Sequence, residues 1–90
     1  GTYLVIGSAY FHSGFTANDI VHLIILKNGT YICDSILRMY ATSPYQIVQD
    51  STIVTCAAND VFYLYAYNQT AARGKIASRD GHGLSVIRLA

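Results

Sequence analysis

Glutamate and tryptophan are absent from these 90 residues, proline and methionine occur once each, and cysteine occurs twice. No glutamate is available, and no carboxylate pair for glycoside hydrolysis can be picked out among the aspartates. Two cysteines cannot define a disulfide framework. Charge is also scarce: Asp, Lys and Arg make up 12% of the chain, about half the share in an average soluble domain. The six Lys and Arg residues are scattered and the net charge is +1, so there is no basic stripe for nucleic acid. No apolar run approaches the ~20 residues of a membrane span. No signal peptide is visible in the sequence; Gly1-Thr2-Tyr3 starts directly on a strand-like pattern, so the chain is expected to be a fragment or processed product.

What is present is apolar: 52% hydrophobic residues, eight of them tyrosine. That content excludes disorder, and the length makes one domain with a modest core, burying roughly two-thirds of the unfolded surface. Ser, Thr, Asn and Tyr can wet part of its exterior. An extensive subunit interface would relieve the rest.

Turn signals cut the chain into short β-rich runs, an all-β pattern with about six or seven strands. The first spans Thr2 to Tyr10 and both of its faces are at least half apolar. A turn-rich loop carrying Phe11, His12 and Phe15 follows. Ile20 to Lys27 and Thr30 to Arg38 are joined by Asn28-Gly29, two residues that tolerate the positive φ of a type I′ hairpin. Ala41 to Pro44 breaks the chain, and Gln46 to Thr55 then alternates. Val61 to Tyr67 places Val61, Tyr63, Tyr65 and Tyr67 on one face, with Phe62, Leu64 and Ala66 on the other. A polar loop with Arg73 and Arg79, with room for a short strand at Lys75 to Ala77, precedes a final strand from His82 to Leu89. No stretch has a convincing helical period.

Chemistry-bearing constellations are sparse. His12, His22 and His82 match no zinc spacing, and His22, inside an apolar strand, reads as a hydrogen-bonded core or interface residue. The five aspartates form no calcium loop; Asp60 suits a turn in which it accepts backbone hydrogen bonds. There is no Gly-x-Ser-x-Gly elbow, and Gly81-His82-Gly83 is too short for a phosphate loop. Cys33 and Cys56 sit in strand-like segments and are expected as buried free thiols. A disulfide is the alternative if their strands are neighbours, with Cα atoms within about 7 Å. Asn28-Gly29-Thr30 and Asn68-Gln69-Thr70 match the glycosylation sequon, the first being explained by its hairpin. No cofactor, metal or enzymatic activity is expected.

The order of several features resembles a known family. Gly1-x-Tyr3 opens an apolar strand; another ends at Lys27-Asn28-Gly29. An aromatic strand is introduced by Asn59-Asp60 and ends at Tyr67-Asn68, and Ser85-Val86-Ile87-Arg88-Leu89 closes the chain. This resembles the tumour-necrosis-factor-like jelly roll of complement-type heads and of trimeric knobs on bacteriophage tail fibres and tail needles. The match departs from the family at Asn59, where glycine is usual, and the family's opening strands would lie before Gly1. The resemblance implies a jelly-roll sandwich whose first strands are either supplied by another segment or trimmed away, and a homotrimer with the aromatic strand at or near its threefold axis.

Tyr63, Tyr65 and Tyr67 are accordingly the expected subunit interface, since tyrosine buries a large ring while keeping one polar handle. Ligand contacts are expected on loops, with Phe11, His12, Phe15, Tyr40, Tyr45, Arg73 and Arg79 as candidates. The expected function is a virion knob that attaches to a host-surface glycan or protein or helps breach the host surface. A secreted trimeric receptor-binding head and a trimerisation cap without ligand are the alternatives.

Overall fold

A computed structural model of the chain describes residues 1–11, 14–40, 46–71 and 83–90. Its strands are β1 (Thr2–Phe11), β2 (Ile20–Lys27), β3 (Thr30–Arg38), β4 (Gln46–Thr55), β5 (Phe62–Asn68) and β6 (Gly83–Arg88). They form two three-stranded sheets, ordered β4-β1-β6 and β3-β2-β5, and every pairing is antiparallel. Only β2 and β3 are consecutive neighbours within a sheet; every other connection crosses to the opposite layer. The result is an all-β sandwich. His82 and the short run at 75–77 lie outside the described residues.

Period-2 geometry sorts the side chains between core and exterior. Val5, Ala9 and Phe11 of β1 point inward, as do Val21, Leu23 and Ile25 of β2, and all six are buried. Leu37, Val48, Leu64 and Ala66 pack around them from the other strands. Gly7 lies on the inward face of β1, and a Cβ there would come within 2.5 Å of Leu64 Cδ1. Its lack of a side chain lets Leu64 sit against the opposite sheet.

The β2–β3 turn forms at Asn28-Gly29, with φ of 52° and 82°, the positive values a type I′ turn demands. Partner numbering jumps between Ile25–Cys33 and Leu26–Tyr31, leaving Ile32 as an extra residue in a β-bulge. The turn before β5 is tied to this hairpin by side chains. Asp60 accepts from the Ala57 amide at 2.8 Å and from the Asn28 side-chain amide at 2.9 Å, while Asn28 Oδ1 accepts from the Val61 amide at 2.9 Å. The hydrogen bonds from Asn28 and Ala57 hold the Asp60 carboxyl below its ordinary pKa, with Lys27 adding to the effect.

The first loop corrects one expectation. Phe11 and Phe15 are core residues, 1% and 4% exposed. β1 continues one residue past Tyr10, which gives Phe11 the inward parity of Val5, Gly7 and Ala9. Phe15 folds back edge-to-face onto it, with centroids 5.4 Å apart. Buried rings cannot serve as ligand contacts, so neither residue remains a candidate.

Candidate functional site

The exterior of the β3-β2-β5 sheet collects the tyrosine stripe. Cross-strand register places Tyr63 beside Leu26, Tyr65 beside Ile24 and Tyr67 beside His22. On the other side of β2, Leu26 faces Tyr31, Ile24 faces Asp34 and His22 faces Ile36. Tyr31, Ile36, Tyr63 and Tyr65 are each about half exposed or more (48–64%), whereas Ile24 beneath them is fully covered. Leu26, Tyr31, Tyr63, Leu64 and Tyr65 line a shallow hollow of about 440 Å³ on this sheet. The face is thus an apolar floor with phenol rings standing on it.

One end of this face is polar and closely knit. The His22 ring is 6% exposed and stacks on Tyr67, with centroids 4.6 Å apart and planes 9° from parallel; Tyr67 in turn stacks on Tyr65 at 5.5 Å. Nδ1 lies 3.1 Å from both Asp34 carboxylate oxygens, and Nε2 lies 2.6 Å from Gln69 Oε1. Burial works against a charge on this ring. The hydrogen bonds to Gln69 and Asp34, with the Asp34 charge, outweigh that cost and raise its pKa above the ordinary 6.5.

Between the sheets, on the side where β3 faces β4, the Cys33 thiol donates to Asp50 Oδ1 at 2.7 Å. Asp50 is 7% exposed, and its Oδ2 has no hydrogen-bond partner. Burial, then the hydrogen bond to Asp50 and the carboxylate charge, push the Cys33 thiol up to about 11. Both cysteines are free, as expected, but each is half-buried and not buried. Cys33 therefore has the low thiolate content of a structural residue, not of a nucleophile.

The opposite side is open. β5 and β6 each have one strand neighbour, and the two lie over each other in the sandwich. Val86 of β6 has inward parity, yet it is 45% exposed. With Tyr3, Cys56, Asp60 and Phe62 it lines a cleft of about 330 Å³.

Of the expected site residues, the structure brings Tyr63, Tyr65 and Tyr67 onto one outer face and leaves Tyr40 exposed on its own loop. His12, Tyr45, Arg73 and Arg79 lie outside the described residues. Sequence reasoning missed Tyr31, Ile36, Asp34 and Gln69. Tyr31 was within reach, because the Asn-Gly hairpin by itself sets it opposite Leu26, whereas Asp34 and Ile36 join the outward face of His22 only through the extra residue at Ile32. Gln69 carried no signal. Among the described residues, no group of three or more His, Cys or Asp side chains is placed to hold a metal ion, and no helix is long and apolar enough to cross a membrane. Comparisons with family models, with curated proteins and with solved structures return no match for this chain.

Proposed function

We propose that this chain is the self-associating knob of a fibre-like assembly: a homotrimeric tip of a bacteriophage tail fibre or needle that engages a host surface. The observation that carries the assembly reading is the face of Tyr31, Ile36, Tyr63 and Tyr65 over Ile24 and Leu26. A contiguous aromatic and aliphatic face of this kind on so weakly charged a chain suits burial against a second copy. The interleaving of the strands between two layers supports a jelly-roll type, since such folds pass from sheet to sheet in this manner. Threefold symmetry and the virion setting rest on the sequence resemblance, and host attachment rests on the loop residues.

The open side supports a further part of this reading. The β5 and β6 edges, which have no further strand neighbour among the described residues and flank a cleft, invite an extended segment to complete the sheets. Such a segment would cover Val86 and Phe62.

Light scattering on purified chain tests the assembly. The unsubstituted chain should run as an oligomer, and Tyr65→Ser should keep the β-sheet circular dichroism while losing mass. Tyr65 projects outward, so the core is spared. An unchanged oligomer in Tyr65→Ser, or a monomeric parent chain, overturns the proposal.

A further inference from the structure

The polar end of the tyrosine face holds an arrangement that assembly does not require. The 68–71 turn is fastened to the start of β2 by several bonds: Asn68 Nδ2 to Asp19 Oδ2 at 3.0 Å, the Gln69 amide to the Ile20 carbonyl at 2.7 Å, and the Ile20 amide to Thr70 Oγ1 at 3.0 Å. Asn68 Oδ1 also accepts from the Thr70 and Ala71 amides. Gln69 then reaches the buried His22 ring, whose other nitrogen faces the Asp34 carboxylate.

With Asp34 oxygens on one ring nitrogen and Gln69 Oε1 on the other, the arrangement is that of imidazolium donating from both. A neutral ring donates once and keeps both contacts only if the Gln69 amide turns over so that its Nε2 donates, which exchanges a charge-assisted bond for a weaker neutral one. We infer that His22, Asp34 and Gln69 form a proton-operated latch: the doubly protonated ring fastens the 69–71 turn across β2 to β3, and loss of one proton loosens it.

The groups around the ring fit this role. Asp34 on β3 supplies the one negative charge facing it among the described residues, and its side chain is only 34% exposed. Tyr67 on β5 offers a neutral stacked face. Arg38, farther along the same outward face of β3, opposes the charge but sits opposite Ile20, not His22. On β2 itself the outward neighbours are Ile20 and Ile24, which carry no charge.

The direction with pH follows from linkage. A histidine with a raised folded-state pKa contributes stability that is complete below the unfolded value near 6.5 and is lost as pH rises through the folded value. The latch is closed in acid and opens toward alkaline pH. Its target is local, since Gln69 is an exposed turn residue.

Nitrogen-detected NMR on the full chain reads the ring directly, with His22 assigned by difference from His22→Gln. Backbone amide protection at Gln69, corrected for intrinsic exchange, reads the turn. The expected result is a His22 titration above 6.5 and a loss of Gln69 protection, on the order of tenfold, as that titration is crossed. Amides of the β1–β4 pair should not respond. Gln69→Leu, a surface change that spares the core, should lower the His22 titration and abolish the pH dependence. A His22 titration at or below 6.5, or Gln69 protection equal on both sides of it, overturns the latch.

Discussion

Asp50 shows how a single residue can be read correctly for parity and missed for consequence. Its place in the Gln46 to Thr55 alternation puts it opposite Ile47 and Gln49, but alternation cannot say that this polar side is the inward one. The structure buries it beside Cys33, whose thiol lies 2.7 Å from one carboxylate oxygen. That contact gives a prediction at the residue scale. With a pKa of about 11, Cys33 at pH 8 holds a thiolate fraction roughly a hundredfold below that of an ordinary cysteine. In a Cys56→Ser background, alkylation by iodoacetamide should therefore be slower by a similar factor in the folded chain than in urea. Adding Asp50→Asn removes the charge and should speed the folded-state reaction. A Cys33 that reacts equally fast in both states would show that neither burial nor the carboxylate governs it, and an Asp50→Asn rate no faster than the parent's would rule out the carboxylate's share. Phe11 is the complementary lesson: one extra residue of strand turned an apparent loop aromatic into core.

Among the elements, the β2–β3 hairpin was the most legible, because Asn28-Gly29 encodes its turn chemically and the flanking apolar runs leave no other pairing. The Ile32 bulge was not legible, since nothing in Tyr31-Ile32-Cys33 distinguishes an extra residue from a paired one. Gly29 has φ of 82° with nothing within 4 Å of an added Cβ, so conformation alone is at stake. Gly29→Ala should cost about 1 kcal/mol in urea unfolding by forcing alanine into a left-handed backbone. Asn28→Gly is the informative partner. Glycine tolerates positive φ at least as well, yet this variant should also unfold at lower urea because it cuts the side-chain bonds to Asp60 and Val61. If Asn28→Gly matches or exceeds the parent in stability, those bonds contribute nothing measurable.

For the whole molecule, strand identity was legible and strand pairing largely was not. Period-2 patterns assign faces within a strand, but the order β4-β1-β6 over β3-β2-β5 arises from which faces fit across the layers. That order leaves a second apolar exterior, on the β4-β1-β6 sheet, where Ile47, Ile53 and Ile87 are 46–65% exposed. The two exteriors differ in chemistry. The β3-β2-β5 face combines large rings with phenol oxygens that can reach polar partners, a composition enriched in interface centres. The isoleucines carry no polar handle: Ile53 and Ile87 flank Leu4 in one cross-strand row, and Gln49, Ser51 and Ser85 interrupt the outward rows along β4 and β6. Ile53→Lys should consequently keep the oligomer's mass in light scattering and raise the concentration at which the protein precipitates. Tyr65→Ser should do the reverse, lowering the mass with little gain in solubility. Were Ile53→Lys to dissociate the oligomer and Tyr65→Ser to leave it intact, the subunits would meet through the β4-β1-β6 face, and the stacked His22–Tyr67–Tyr65 column would face solvent.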